Sequence, residues 1–418
     1  MPPTLAIARA LVGRGHSVRV LAPSSLRADV EAANCDFVPY ARAPVHRERR
    51  ASAVLGRARA ALVPPELIRA APATLFAEDL LDEIEREPAD VLVIDFMLAG
   101  SVAAAEAAGL PTAALMHTVY CLPAPKRPAF GPGLVPASGP GGRVRDRSLT
   151  LVARRAQGPG VRDLNAARRR LGLAPVASAA NQLERVDRLL VMTSESFDPP
   201  VSSLARNVRY VGAQFDDHVD AADVDVAAFR AEAPPLVVMT LSMRFALPKV
   251  AQRTLDAVGA LPVHGLITLG YSASAKGLRL PPNVSATRFV PHRAVLPSAS
   301  LVITHGGLGT VMAAIAHGVP LLCIPLKNDQ FENAARVEAL GAGIRMGKHA
   351  RPRALAGTIK EMLSEPCFRT AAQRLAAKLA GERRGLAIEE LEDLIARSSS
   401  RVGPSSGAVL TTSGARPS

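Results

Sequence analysis

The sequence predicts an α/β protein made of two parallel-sheet domains in tandem, and three observations carry that expectation. Short runs rich in Val, Leu and Ile alternate with helical patterns over most of the 418 residues. Most of these runs are continuously apolar rather than alternating, which is how strands buried on both faces read. An acidic, poorly apolar stretch then splits the runs into two sets, and strand–helix alternation within each set calls for a parallel sheet. The chain is long enough for each half to bury its own core.

Taken in order, the first set comprises "SVRVLAP" (17–23), "DVLVIDF" (90–96), "PTAALMHT" (111–118) and "DRLLVMTS" (187–194), with a helix ahead of the first run. Residues 122–160 are rich in Pro and Gly and read as a long loop with inserted helices, a composition common in functional loops. The acidic stretch Asp216 to Asp225 lies within an expected interdomain linker, 213–233. The second set comprises "PLVVMTLS" (235–242), "HGLITLG" (264–270), "VSATRFV" (284–290), "SLVITHG" (300–306) and "VPLLCIP" (319–325). The expected division is a first domain over 1–212, a second over 234–370, and helices at 371–397 that pack back across both. The tail from Ser398 is low in apolar content, and 398–418 is expected to be disordered.

Composition narrows the function. A net charge of +13 and a pI near 10.3 first suggest nucleic acid. Against that, only seven of the fifty basic residues are lysines, the arginines are dispersed, and aromatic residues for base stacking make up 4% with no Trp. No nucleic-acid partner is expected; basic runs such as Arg168 to Arg170 read as solvated helix faces. Cys35, Cys121, Cys323 and Cys367 are far apart with no CxxC, so neither a metal site nor a disulfide framework is expected. The longest apolar stretch, 91–110, contains Asp95 and Glu106 and is too broken to span a bilayer. With no basic segment before the apolar start, no signal peptide is expected and the cytoplasm is the expected compartment.

The stretch "THGGLGT" (304–310) joins a buried run directly to a helical pattern. Such a strand–Gly–helix turn aims free backbone N–H groups and the positive end of the helix dipole at the carboxyl edge of the sheet, a ready place for phosphate. Gly306, Gly307 and Gly309 would let backbone approach a diphosphate closely, and His305 and Thr310 could donate to its oxygens. Alone the signal is weak, being neither G-x-G-x-x-G nor a Walker A sequence.

Its neighbours strengthen it. "RFVPHRAVLPSASLVITHGGLGTVMAAIAHGVPLLCIPLKNDQFENAARVEALGAG" (288–343) resembles the donor-binding signature of family-1 glycosyltransferases of the GT-B fold, above all bacterial enzymes that glycosylate antibiotics and other lipophilic small molecules. The resemblance implies two Rossmann-like domains facing across a cleft. It places His305, Gly306, Gly307, Gly309 and Thr310 on the donor diphosphate, with Asp329 and Gln330 on sugar hydroxyls. Phe289 and His292 would open the loop around the nucleobase, and Ser242 would sit near the phosphates. An exposed acidic turn at Asp329 and a core aromatic at Phe289 are the structural alternatives. Where many uridine-nucleotide users carry a glutamate, this chain has Ala313, which favours a 2′-deoxy donor such as a TDP-sugar. The implied donor is thus a UDP- or TDP-sugar, a substrate rather than a cofactor, and no cofactor or metal is implied.

The segment ending in Asp95 resembles the family's strand whose aspartate holds and polarises a histidine base; capping the following helix is the alternative. The family's first strand and its G-H-x-x-P loop have no counterpart here, since the chain opens "MPPTLAIARALVGRGHSVRVL". His16 lies at the amino edge of the sheet and is rejected as the base. His117 follows a strand at the carboxyl edge and is the candidate substitute in the acceptor pocket. Loss of the first, central strand would leave unpaired backbone and an open apolar slot, so a natural chain longer by about ten to twenty residues is expected; intact mass would decide it. The implied reaction is inverting, metal-independent transfer of a hexose or deoxyhexose to a hydroxyl of a small lipophilic acceptor. The rivals are a catalytically impaired nucleotide-sugar-binding homologue and a GT-B-fold epimerase, the latter disfavoured by the Asp329-Gln330 pair.

Overall fold

The computed structural model describes residues 2–43, 73–124, 127–135, 139–200, 204–215, 234–241, 248–270, 277–327, 329–399 and 408–411. The chain builds two parallel sheets. The first contains β1 (Val18–Ala22), β2 (Asp36–Pro39), β3 (Val91–Asp95), β4 (Thr112–Met116), β5 (Arg188–Val191), β6 (Val208–Tyr210) and β13 (Ala408–Thr411), in the order β2-β1-β13-β3-β4-β5-β6. The second contains β7 (Leu236–Thr240), β8 (His264–Thr268), β9 (Val284–Thr287), β10 (Ala299–Thr304), β11 (Leu321–Cys323) and β12 (Gly343–Arg345), in the order β12-β11-β10-β7-β8-β9.

Every strand of β1, β3, β4 and β7 is buried along its whole length, because helices cover both faces. That is why those segments read as unbroken apolar runs. The strands absent from the sequence expectation are β2, β6, β12 and β13. The first three are the short strands at sheet edges, where one neighbour suffices and the apolar run is correspondingly brief.

The tail departs from expectation. Rather than remaining disordered, residues 408–411 form β13 in the slot between β1 and β3. Val18 to Leu21 pair with Ala408 to Thr411 on one side, and Val91 to Ile94 pair with them on the other. Val409 and Leu410 are fully buried in the two cores that flank this sheet. The slot expected to stand open for want of a first strand is therefore occupied. Low average apolar content made the tail look unfoldable by itself, yet four residues suffice where two ladders and two apolar faces await them.

The crossing from the second lobe back to the first also falls later than expected. Helix Pro366–Ala380 contributes Ala372 and Leu375 to the core of the second sheet. Helix Leu386–Ser399 instead buries Ala387, Ile388, Leu391 and Leu394 beside helix Pro2–Gly13 in the first core. Arg188 binds Glu390 and, at 2.7 Å, Asp393, which ties that last helix to β5. The proposed boundary at 370 thus cuts through a helix. Of the expected linker, residues 216–233 lie outside the described residues, as do residues 44–72 of the first half. The inserted segment is dominated by one 31-residue helix, Pro140–Arg170.

Candidate functional site

The glycine turn leaves β10 at its carboxyl end. Gly306 has φ +88°, a left-handed conformation that a side chain would strain. Its backbone also passes close to the next element: a Cβ on Gly306 would lie 3.0 Å from the carbonyl oxygen of Gln330. Gly307 is bare for another reason, since a Cβ there would come within 2.8 Å of Nε2 of His305. The nine-residue helix Leu308–Ala316 starts at once, and its first-turn N–H groups and dipole face the turn. Gly309 is exposed with open space beside it, and Thr310 is half-buried in the same turn.

His305 is buried, and its Nδ1 lies 3.1 Å from the carbonyl oxygen of Thr240, at the end of β7. A carbonyl only accepts, so Nδ1 carries the proton. Burial, then the charge of Lys327, push His305 below the ordinary histidine range. A ring protonated at Nδ1 alone has no proton on Nε2, so donation from Nε2 needs a second proton.

Asp329 and Gln330 lie where β11 gives way to helix Gln330–Ala339. Gln330 Oε1 accepts from the backbone N–H groups of Leu326 and Lys327 at 2.9 and 3.0 Å, which leaves its amide nitrogen as the donor end. Asn333, fully buried one turn on, welds the two turns together. Its Nδ2 donates to the Gly306 carbonyl at 2.9 Å and to Asp329 Oδ2 at 3.0 Å. Residues 305–310 and 329–330 therefore form one surface at the carboxyl rim of the second sheet. Phe289 and His292 lie on the connection from β9 to β10. Burial, then the charge of His317, lower His292 to about 4. Ser242 lies outside the described residues.

Across from this rim, Asp95 ends β3 and His117 follows β4. Asp95 Oδ1 accepts from the Met97 N–H at 3.0 Å and lies 3.7 Å from Nδ1 of His117. Helix Ala99–Ala108 has Leu98 at its N-cap and receives no side-chain cap. The His117 ring sits edge-on to Phe96 with centroids 5.3 Å apart. His16, at the opposite edge, has Nε2 3.3 Å from Glu392 Oε1 on the last helix.

The two rims meet. Val119 and Phe197, carried by the first lobe, are buried in the core of the second, and Phe130 packs against cores of both. Thr193 Oγ1 lies 3.7 Å from Met312 Sδ on the helix after the glycine turn. The Cys121 thiol, pushed up to about 12 chiefly by burial, also feels the charges of Asp198 and Asp329. The sequence did not single out Thr240 or Lys327, which carried no motif; Asn333 lies inside the stretch 288–343 that carries the resemblance, with no role assigned to it.

With this geometry in hand, likeness to known proteins is informative. The family described as erythromycin biosynthesis protein CIII-like, C-terminal domain, matches residues 252–391. Over 396 residues the chain is 30% identical to 4'-demethylrebeccamycin synthase of Lentzea aerocolonigenes, covering 89% of this chain and 91% of that one. Among solved structures, the glycotransferase of kitacinnamycin is similar with a TM-score of 0.71 at 22% identity, covering 95% of each chain. The spinosyn rhamnosyltransferase SpnG, solved in complex with thymidine diphosphate, is similar with a TM-score of 0.67 at 21% identity, covering 94% of this chain and 97% of that one.

Proposed function

The chain belongs to the family-1 glycosyltransferases of the GT-B fold, and from that premise we propose the transfer it performs. It is a nucleotide-sugar-dependent enzyme of the antibiotic-glycosylating type. Its proposed reaction moves a hexose or deoxyhexose from a UDP- or TDP-sugar to a hydroxyl of a small lipophilic acceptor, with inversion and without a metal. The observation that carries the proposal is the single surface made by the glycine turn and the Asp329-Gln330 turn, bridged by Asn333.

On that surface the diphosphate meets the first-turn N–H groups of helix Leu308–Ala316, the hydroxyl of Thr310 and the ring of His305. Lys327 adds a positive charge close enough to act on His305. These groups neutralise the charge that grows on the departing diphosphate, the task a metal performs elsewhere. The Asp329 carboxylate accepts from sugar hydroxyls and the Gln330 amide donates to them. Ala313 is buried in the second core and offers the ribose no carboxylate. That favours a 2′-deoxy donor, and SpnG, a similar fold, was solved with thymidine diphosphate.

On the acceptor side, Asp95 holds Nδ1–H of His117 and leaves Nε2 to take the proton of the acceptor hydroxyl. The acceptor oxygen attacks the anomeric carbon in line. The bond from that carbon to the diphosphate oxygen breaks, its electron pair leaving with the diphosphate. The 3.7 Å separation of Asp95 and His117 is longer than a hydrogen bond and must shorten on substrate binding. That same distance supports a second reading, a homologue that binds sugar nucleotides without turnover. Incubation with UDP- and TDP-sugars and a panel of lipophilic alcohols separates the two. A glycosylated product of inverted anomeric configuration supports the first, and donor binding without product supports the second.

A further inference from the structure

We propose that Glu332 is a positioning residue that clamps the loop 127–135, on the acceptor side, to the helix that presents the sugar-binding pair. The proposal rests on the donor and acceptor assignments above and adds a coupling between them. Helix Gln330–Ala339 has two working faces. Asn333 turns toward the glycine turn, while Glu332 and Arg336 turn toward the other lobe.

Glu332 is buried, and its Oε1 accepts from the backbone N–H groups of both Gly131 and Gly133, at 2.8 and 2.9 Å. Its Oε2 is bound at 3.0 Å by Nη1 of Arg336, whose Nε donates to Asp198 Oδ1 at 2.9 Å. Asp198 is fully buried at the end of the first lobe and also accepts from Arg127, from the Tyr120 N–H and from the Tyr210 hydroxyl. The loop is fastened a third time by Arg345, which donates to the Gly133 carbonyl at 2.9 Å.

The fit is close as well as polar. Gly133 has φ +63°, and a Cβ there would lie 2.2 Å from the Phe331 carbonyl oxygen. At position 133 no side chain fits between the loop and the helix. A buried carboxylate satisfied by two backbone N–H groups and an arginine is a strong, directional tie, and charge-assisted bonds are the strong ones. The consequence follows from chain order. The loop is the continuation of His117, the candidate base, through Val119, which is itself seated in the second core. Holding 127–135 against the helix of Asp329 and Gln330 therefore sets the position of the base relative to the bound sugar.

The test uses Glu332→Ala and, independently, Gly133→Ala, which wedges the loop without altering charge. Hydrogen exchange of the full chain reads the clamp without relying on turnover. Residues 127–135 should lose protection while β10 and β7 keep theirs. Titration with TDP and with UDP should show nucleotide affinity within about twofold of the parent, whereas the acceptor KM should rise about tenfold. Hydrolysis of the sugar donor without acceptor should rise as well. Glu332→Gln, which keeps an accepting oxygen, should recover part of the loop protection. Unchanged protection of 127–135 in both alanine variants would overturn the clamp. Equal loss of nucleotide affinity and acceptor KM would overturn the positioning role in favour of a general structural one. A parent protein that binds neither nucleotide would indict the donor assignment instead, and the exchange measurement would still judge the clamp.

Discussion

Removal of residues 400–418 takes β13 out of the middle of the first sheet, and the structure sets the scale of the damage. Val409 and Leu410 are fully buried, and burying one such side chain stabilises by about 1.5–3 kcal/mol. The two together contribute roughly 3–6 kcal/mol. Their absence also bares the facing edges of β1 and β3, which pair with β13 over four residues each. Each backbone group left unpaired in an apolar slot costs about 1–3 kcal/mol more. Against a total stability of about 5–15 kcal/mol, the first lobe should not survive as a cooperative unit. Hydrogen exchange on peptides covering β1 and β3 should show rapid exchange in the truncated chain, with β7 and β10 still protected. Leu410→Asp, at full length, should act in the same direction by burying an unpaired carboxylate. Equal protection of β1 and β3 with and without the tail, together with an unshifted urea midpoint, would refute the strand assignment.

Other expectations concern the site. His305→Ala should abolish the thermal shift given by the preferred sugar nucleotide, and an undiminished shift would contradict the phosphate role. Because Nδ1 of His305 is committed to Thr240 and burial lowers its pKa, donor binding should take up a proton as the diphosphate raises that pKa. Affinity should be greatest at low pH and weaken as pH rises through the bound-state pKa, by at most about tenfold per unit; calorimetry in buffers of different ionisation enthalpy reads the proton directly. His117→Ala should cut kcat by about 10²–10⁴-fold with nucleotide affinity unchanged, and Asp95→Asn should lower the rate without removing binding. Asn333→Ala removes the donor to the buried Gly306 carbonyl and to Asp329 Oδ2, and should weaken donor binding by about 1–3 kcal/mol. A variant that binds donor as well as the parent would show the two turns to be held together by other means.

Much of the architecture was legible because buried parallel strands read as apolar runs: β1, β3, β4, β5, β7, β8 and β11 fall within such runs and β10 begins one residue ahead of its own, while the edge strand β9 lies in a run broken by Ser285 and Thr287. The glycine turn was legible for a related reason: "HGG" between a strand and a helix has few conformational uses. Gly306 needs its left-handed φ and Gly307 must clear the His305 ring. Asn333 stayed in the background because an asparagine inside a helix ordinarily faces solvent, and only contact with another turn gives it work. Glu332 and Arg336 stand at i,i+4 spacing on one helix, a pattern that fits a solvated surface pair as well as one covered by the opposite lobe.

By itself the sequence determined the class of fold, the direction of the second sheet and the chemistry of its carboxyl rim. Local periodicity and turn stereochemistry are properties of neighbours along the chain. Tertiary structure alone decided which segment fills the centre of the first sheet, where the helix Leu386–Ser399 crosses and how the loop 127–135 is fastened. Those outcomes depend on burial and on partners distant along the chain. A four-residue segment has no intrinsic preference strong enough to announce them, and only the slot between β1 and β3 makes its order favourable.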